Sequence, residues 1–559
     1  MPRARETPWN DSMWSVVLHS GAFVPALGAS DTARLARVSR AARREFADTP
    51  ETLWGSMFAG QSRDELERLF WLALRAGETA HVALALRAAR DFGAGDFRAE
   101  LLLLRDDNLQ NGDEGCLYAC AMSNDVATAR VLLQAALDAG VLRALLLLLN
   151  MGRSCLLPCV REGHAEMLEL LLLSAAAAPR VPVRGELPPS CLRLLLELPA
   201  DDDEDTGGSC LHFAVLSDDL RTMEVLLAAG RSAGAMRVLL DARDGRDSTC
   251  LHWAAERGEL PVVEMLLEAG HAAGVQLELL NARDDDRDTC LHTAVDNGNL
   301  EVVRALLAAG GAALAWAGGD NGKTALHVAV RSGNLLIIRV LLDVGGRALL
   351  LRTDDMDRSC VHVSVGRMCF ASESAERTLL PVVHTLLRFA QELDRSVLGA
   401  VLLLRNGDGE SCLLTATAWR YSSVMRALLG YAQMAGVEQQ LLTMTSNEGN
   451  SCLEYAVQAR DDGPWPAGRE SAAVLAALLD SPCARERVTL RDAAGHTALR
   501  HAATVGHAQA VRALLAAPGG REALEADGAA ALDEARHTGT AGGAQVLADA
   551  LGAGAGAGA

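Results

Sequence analysis

The chain has little of several residue types that other classes of protein need. Lys323 is the only lysine among 559 residues, so arginine supplies nearly all of the 52 basic side chains. Aromatic residues make up 4% of the chain, whereas strand-rich cores are enriched in them. The net charge of −20 argues against a nucleic-acid binder, which needs basic surface to neutralise phosphates. These shortages favour a helical protein that does not bind nucleic acid.

Long apolar runs and catalytic fingerprints are also missing. No run reaches the roughly 18 apolar residues that span a bilayer, and the first residues, MPRARETPWNDSMW, do not form an apolar signal segment. No HExxH, GxSxG or glycine-rich nucleotide fingerprint is present. We therefore expect a protein of the cytoplasm, the nucleus or both, with reduced thiols, without a membrane contact, cofactor or enzymatic activity.

What the chain does contain is an internal repeat. At 559 residues it exceeds a single hydrophobic core, and STCLHWAAERGELPVVEMLLEAG around Leu251 returns as DTCLHTAVDNGNLEVVRALLAAG around Leu291. About eleven copies of this frame occur. Besides the copies around Leu251, Leu291 and Leu326, they begin at Glu114, Arg153, Gly208, Arg358, Glu410, Asn450, His496 and, in worn form, Gly528.

Each copy has one physical plan. A Thr or Ser caps a short helix, and a glycine such as Gly258 breaks it. A second helix follows with apolar residues at helical spacing, for example Val262, Met265 and Leu266. We expect Gly270, Gly310 and Gly345 to end these second helices. One such pair cannot bury its apolar face alone, so the copies must stack.

The frame resembles the ankyrin repeat, whose hallmark is T-P-L-H-x-A followed by a glycine break and a V-x-x-L-L helix. The resemblance covers residues 105–550 and implies an all-α solenoid of about eleven helix–turn–helix repeats. Cysteines 210, 250 and 290 lie 40 residues apart, about seven more than a standard repeat. The extra residues include an apolar cluster (Met236, Val238, Leu239 and Leu240) that predicts an added helical turn. Cysteine replaces the family's proline at positions 116, 155, 210, 250, 290, 360, 412 and 452.

The recurring cysteines and histidines suggest metal chemistry, but their register favours a structural role. No CxxC pair exists, and Cys116/Cys120 and Cys155/Cys159 lack a nearby pair of histidines. We expect buried cysteines between helices and no metal site. In the ankyrin pattern the histidine bonds the backbone of the neighbouring repeat's turn. Here that implies the same role for His212, His252, His292, His327 and His362.

One segment satisfies a relaxed phosphate-loop pattern. Residues 317–324 read AGGDNGKT, but such a loop works when it joins a buried strand to a helix. No strand-like run precedes it, and the repeat register makes Lys323 part of an ankyrin finger turn. The finger interpretation is therefore favoured over nucleotide binding.

The ankyrin resemblance also implies where a partner protein binds. The recognition positions are the finger turns and the two residues before the glycine break. In this chain they are Arg246, Asp247, Ser248, Glu256, Arg257, Asp285, Asp286, Asp288, Asp296, Asn297, Asp320, Asn321, Lys323, Arg331 and Ser332. The fingers are rich in aspartate, which would attract a basic partner. The alternative is that aspartate serves solubility and turn formation.

The segment before the repeats resembles part of an F-box. In SDTARLARVSRAARREFADTPETLWGSMF the positions of Leu35, Val38, Leu53 and Trp54 match that family. The resemblance implies docking of a Skp-type adaptor of a cullin–RING ubiquitin ligase. A plain helical cap on the first repeat is the alternative.

Together these patterns predict four segments. Residues 1–60 form a helical cap or F-box-like segment, 61–104 a divergent first helical pair, 105–550 the repeats and 551–559 a disordered Gly/Ala tail. The predicted function is a monomeric scaffold that binds protein partners. The alternative is an F-box-type substrate receptor whose repeats select the substrate.

Overall fold

A computed structural model describes most of the repeat-containing chain. The described residues are 62–90, 97–106, 114–150, 152–178, 190–198, 207–217, 219–366, 373–457, 470–480, 488–492, 494–538 and 541–555. The chain divides into two compact regions, Met1–Cys250 with Ala269–Gly274 and Leu251–Glu268 with Val275–Ala559. The predicted adaptor-binding residues Leu35, Val38, Leu53 and Trp54 lie outside the described residues.

The first region is helical apart from one antiparallel pair of two-residue strands, β1 and β2, in which Arg105 pairs with Gly115. Its elements are α1 Arg63–Arg75, α2 Thr79–Arg90, α3 Phe97–Leu103, β1 Arg105–Asp106, β2 Glu114–Gly115, α4 Cys116–Ser123, α5 Val126–Asp138, α6 Leu142–Leu146, α7 Leu156–Arg161, α8 Ala165–Ala177, α9 Cys191–Glu197, α10 Cys210–Leu216, α11 Leu220–Ala233 and α12 Met236–Leu240.

Helices α13 and α14 include residues of both regions, and the later helices belong to the second. They are α13 Cys250–Arg257, α14 Leu260–Ala272, α15 Gln276–Leu280, α16 Cys290–Asp296, α17 Leu300–Ala315, α18 Ala325–Ser332, α19 Leu335–Leu350, α20 Cys360–Val365, α21 Glu373–Leu393, α22 Arg395–Leu402, α23 Cys412–Ala418, α24 Ser422–Ala435, α25 Glu438–Thr443, α26 Cys452–Val457, α27 Glu470–Leu479, α28 Ala498–Thr504, α29 Ala508–Ala516, α30 Gly520–His537 and α31 Ala541–Ala555. A short 3₁₀ turn, Asp320–Gly322, precedes α18.

Helices of the same kind stack in rows within each region. In the first region the first helices α1, α4, α7 and α10 pack in succession, as do the second helices α2, α5, α8 and α11. The short helices α3, α6, α9 and α12 form a third row. Repeats of this region therefore have three helices, and residues 63–103, predicted as a divergent first helical pair, contain three helices as well.

The second region has the same two main rows. Its first helices run α16, α18, α20, α23, α26, α28 and α30, and its second helices run α17, α19, α21, α24, α27, α29 and α31. The all-α repeat fold expected from the sequence is confirmed. No described helix is both long and apolar enough to cross a membrane.

The glycines that were expected to end the second helices do something different. Helix α14 continues through Gly270 to Ala272, and the backbone of α17 and α19 departs from helical geometry one residue later than predicted, at Gly311 (φ 60°) and Gly346 (φ 58°). A Cβ on Gly345 would lie 2.5 Å from Cδ2 of Leu349. Glycine at that position therefore makes room for the chain after the bend to pack back on the second helix.

The predicted additional helical turn is present as α12. Met236, Leu239 and Leu240 are buried in it, as expected from their apolar character. Val238 is 42% exposed and does not join that cluster. Met236, Leu239 and Leu240 stand at positions i, i+3 and i+4, which share one face of a helix, whereas Val238 at i+2 lies on another face.

The eight cysteines that replace the family's proline lie where the sequence predicted them, at or beside the starts of first helices. All eleven described cysteines are buried and none forms a disulfide. Burial raises the pKa of the Cys290 thiol to about 12, so it packs as a small apolar side chain.

The C-terminal tail differs from expectation. Helix α31 continues to Ala555, so residues 551–555 are helical rather than disordered, as the high helix propensity of alanine allows. The remaining four residues lie outside the described part of the chain.

Candidate protein-binding surface

The start of each first helix is fixed by a cap that also reaches the next repeat. In α18, Thr324 precedes the helix and its backbone N–H donates to Nδ1 of His327 at 3.2 Å. The Nε2 of His327 donates to the carbonyl of Arg358 at 3.1 Å. Because both ring nitrogens are engaged in this way, His327 is the neutral tautomer with its proton on Nε2. The histidine thus joins the cap of one repeat to the finger of the next.

The same bridge recurs, as the ankyrin resemblance implied. His212 bonds the carbonyl of Ser248, His252 that of Asp288, His292 that of Lys323 and His362 that of Glu410, at 3.0–3.3 Å. Burial lowers the pKa of His212 and His292, and lowers the pKa of His327 and His362 to about 4. These histidine bridges therefore position the fingers.

Several fingers are closed by a side chain at their first position. Oδ1 of Asp244 accepts from the backbone N–H of Arg246 and Ser248 at 2.9 and 2.8 Å. Asp354 makes the equivalent bonds to Met356 and Arg358 at 3.0 and 2.8 Å. Asp284 accepts from the N–H of Asp288 at 2.8 Å, and in a later finger Asn406 accepts from the N–H of Glu410 at 2.8 Å. These aspartates form the turns, so turn formation accounts for part of the acidic pattern.

An arginine beside the capping residue braces the finger from the other side. Arg243 donates to the carbonyl of Asp247 at 2.7 Å, and Arg283 donates to that of Arg287 at 2.7 Å. Arg283 also reaches the carbonyl of Gly318 in the next finger, and Arg405 reaches that of Thr445. The dipeptides Arg-Asp and Arg-Asn at these places were the sequence signal for this brace, which the sequence analysis missed.

Most of the predicted recognition residues are exposed. The exposed ones are Arg246, Asp247, Glu256, Arg257, Asp285, Asp286, Asp296, Asn297, Asn321, Arg331 and Ser332, and the half-buried ones are Ser248, Asp288, Asp320 and Lys323. Arg246, Asp247 and Ser248 belong to the first compact region and the others to the second. The half-buried residues are those whose side chains or carbonyls hold the fingers in place.

Within the second region, several predicted residues meet across neighbouring repeats. Arg331 on α18 pairs with Asp296 on α16 at 2.9 Å. Asp288 accepts from the N–H of Asp320 at 2.9 Å, and Asp320 pairs with Lys323 at 2.8 Å. By contrast, Arg257 pairs with Glu259 inside its own repeat, at 2.5 Å. The exposed acidic surface is therefore narrower than the sequence indicated, because Asp296 and Asp320 face basic partners.

Asp285 and Asp286 remain exposed beside a third acidic residue, Asp284, whose pKa is raised. Burial is the largest cause that raises the pKa of Asp284 to about 6, and the charges of Asp288, Asp286 and Asp285 act in the same direction, whereas the bond from the Asp288 N–H lowers it. The finger of residues 284–288 therefore concentrates negative charge.

The phosphate-loop-like segment is a finger as well. The N–H of Gly319 bonds the carbonyl of Lys323 at 2.7 Å, and Lys323 Nζ bonds Asp320 at 2.8 Å. Thr324, which would follow the lysine in a phosphate loop, is buried and caps α18 with His327. The segment thus has the finger role that the repeat register predicted.

Comparison with known proteins identifies the repeat. The family "Ankyrin repeats (3 copies)" matches residues 183–278 and 269–349. Residues 183–349 therefore carry ankyrin repeats. No curated protein matches the chain.

Ankyrin repeat domains are also found among similar solved structures. The ankyrin repeat domain of Bcl-3, described as a unique member of the IkappaB protein family, is 23% identical, with a TM-score of 0.37, and the match covers 48% of this chain and 99% of that one. An ankyrin repeat domain from Acinetobacter baumannii AYE is also 23% identical, with a TM-score of 0.31, over 40% of this chain and 95% of that one. Ankyrin repeats imply protein partners.

Proposed function

We propose that this ankyrin-repeat protein is a scaffold that binds a protein partner through its fingers and the exposed ends of its first helices. The carrying observation is the finger of residues 284–288, which is fixed by Asp284 and Arg283 and keeps Asp285 and Asp286 exposed. A braced finger offers its side chains in one geometry, so little conformational entropy is lost on binding.

A basic partner surface suits this site. Asp355 and Asp357 are exposed on a later finger, and the N–H of Asp355 bonds the carbonyl of Asn321 at 3.0 Å, which holds consecutive fingers side by side. Negative charges on the finger of residues 284–288 and on this later finger, which lie on either side of the finger of residues 319–323, attract a positively charged protein and accelerate its association at low salt. The histidines and capping aspartates serve this function indirectly, by holding the fingers.

The test is a pull-down with the full chain as bait and matched charge reversals. The double variant D285R/D286R is expected to lose proteins that the unmodified chain captures, and raising the salt concentration should have the same effect. The control is E264R/E268R, which makes the same change of four charge units at exposed positions of α14.

Two results decide the matter. Proteins lost with D285R/D286R but retained with E264R/E268R support binding at the finger. Capture that is equal for both variants and insensitive to salt contradicts an acidic finger site.

The F-box-type receptor function remains the second candidate on sequence grounds. Its support is the resemblance around Leu35, Val38, Leu53 and Trp54. If that segment is a working F-box, a Skp-type adaptor copurifies with the full chain and is lost on deletion of residues 1–60. Absence of the adaptor from the full-length preparation contradicts this function and leaves the scaffold proposal intact.

A further inference from the structure

A group of metal-ligating side chains lies at the finger before α28. Asp492, His496 and His501 each place one ligand atom within 4.8 Å of the others. Asp492 Oδ2 lies 2.9 Å from Nε2 of His501 and 3.9 Å from Nδ1 of His496. The side chains are 8%, 28% and 20% exposed for Asp492, His496 and His501, so the group is partly open to solvent.

The finger turn orients this group. Asp492 is the capping residue of its finger, and its Oδ1 accepts from the backbone N–H of His496 at 2.7 Å. That bond fixes the carboxylate and leaves Oδ2 directed at the two imidazoles. His501 lies on α28, so the three side chains connect a finger to the helix that follows it.

A second observation comes from the neighbouring repeat. Glu454 occupies the position in α26 where His327 stands in α18, three residues after the capping Ser or Thr. Elsewhere that histidine donates to the carbonyl just before the next cap, which here is the carbonyl of His496. An ionised glutamate has no proton to donate, so this repeat cannot form the usual bridge.

Glu454 is consequently an unsatisfied acceptor close to the group. Its Oε2 accepts from the N–H of Ser451, but Oε1 is buried and has no hydrogen-bond partner among the residues that the structure describes. Burial raises the pKa of Glu454, with a counteracting effect of the nearby His501 and a reinforcing effect of Asp492. Helix α26 packs directly on α28. A buried acceptor at such a place calls for a cation or a proton.

The chemistry of these side chains fits a transition metal. Zinc binds imidazole nitrogen and carboxylate oxygen at about 2.0–2.2 Å in tetrahedral geometry, so its ligand atoms lie roughly 3.3–3.6 Å apart. The Asp492 and His501 atoms are already as close as this requires, at 2.9 Å, and His496 reaches the same geometry by a shift of roughly 1 Å toward them. Magnesium and calcium prefer all-oxygen sites, which two imidazoles do not provide.

We propose that Asp492, His496 and His501 bind one divalent transition-metal ion, such as zinc, and that Glu454 contributes the additional negative charge. The ion ties the finger of residues 492–496 to α28, and its positive charge offsets the buried carboxylate of Glu454 on α26.

The experiment uses the full chain after chelator treatment and titrates it with zinc chloride at pH 7.5 by calorimetry. Cys369 and Cys483 lie outside the described residues, and thiolates bind zinc, so both are first replaced by serine. One zinc per chain is expected. D492N, which retains the finger-capping oxygen, and H501Q are each expected to weaken binding at least tenfold.

Further variants make the result specific. E454Q is expected to weaken zinc binding severalfold, because it removes the nearby charge while preserving shape. H537Q replaces an exposed histidine on α30 and should leave binding unchanged. If D492N or H501Q loses helix content by circular dichroism, H496Q removes a ligand from the most exposed of the three positions and takes their place.

The visible absorption spectrum of the protein with bound Co²⁺ identifies the type of ligand. Bound Co²⁺ is expected to show visible ligand-field bands without a sulfur-to-metal charge-transfer band. Absence of zinc binding, binding unaffected by D492N and H501Q, or a thiolate spectrum overturns the proposal. Zinc binding unaffected by E454Q overturns the part assigned to Glu454. None of these outcomes depends on the partner-binding function.

Discussion

The buried histidine row makes the stability of the repeats sensitive to mild acid. His327 offers the sharpest case, because it is 1% exposed and both ring nitrogens are engaged as donor and acceptor. Protonation would place a second N–H against the backbone N–H of Thr324 and would charge a buried ring. We expect the variant H327Q, whose amide can accept and donate without titrating, to show a weaker pH dependence of stability than the unmodified chain.

The sign and size follow from the pKa of the folded state. Burial lowers the pKa of His327 to about 4 from 6.5, so between these pH values the unfolded chain binds more protons than the folded chain. The free energy of unfolding therefore falls as the pH falls below 6.5. From pH 7.5 to pH 5, one such histidine accounts for a loss of about 2 kcal/mol. Asp354 and Arg358 face the same ring and have opposing effects on its pKa.

The assay is urea unfolding followed by circular dichroism at pH 7.5 and pH 5. H327Q should be less stable than the unmodified chain at pH 7.5 or equal to it, but should lose about 2 kcal/mol less on acidification. H537Q changes an exposed histidine and serves as the control. Equal acid-induced losses in H327Q and the unmodified chain would refute the assignment of a neutral, structural His327.

Three further predictions follow from burial and packing. D284N keeps the finger-capping oxygen and removes a partly buried charged group whose pKa is raised to about 6. At pH 7.5 its free energy of unfolding in urea should exceed that of the unmodified chain by about 1 kcal/mol. This difference should shrink as the pH falls from 6 toward 3.8, and a difference that does not change with pH contradicts the prediction. G345A places a Cβ against Leu349 and should lower the free energy of unfolding by about 1–3 kcal/mol. G430A adds a Cβ in open space and should raise that free energy by about 0.5–1 kcal/mol. Similar changes in unfolding temperature for both variants would count against the packing role of Gly345. Cys290 should resist iodoacetamide at pH 8 until the chain unfolds, because burial raises its pKa to about 12, and rapid labelling of the native chain, located by mass spectrometry, would contradict this.

The sequence predicted what depends on local patterns. The caps and the buried cysteines follow from residues that recur at one place in most of the repeats, so their register revealed their roles, and the histidine bridges follow from the ankyrin resemblance of the repeats that carry the histidine. The recognition positions could be named for the same reason. Whether Asp285 and Asp286 bind a partner stays a prediction.

Other features escaped the sequence because they depend on residues from different repeats. The ion pair of Asp296 with Arg331 removes charge from the predicted surface, and no spacing within a repeat foretells it. The group of Asp492, His496 and His501 spans a turn and a helix rather than one helical face, so it has no regular ligand spacing. The sequence pattern predicts that Gly345 ends a helix, but its role is to leave space for the side chain of Leu349, which follows the bend.

The amino-acid sequence by itself therefore determined the repeating helical architecture of this protein, because capping, helix breaking and apolar spacing act over a few residues and recur in each copy. Only the tertiary structure decided which finger charges remain exposed and which are used within the fold. It also decided that Oε1 of Glu454 is buried without a hydrogen-bond partner among the described residues. The physical reason is that electrostatic pairing and the satisfaction of buried polar atoms depend on distances between repeats, which stacking alone creates.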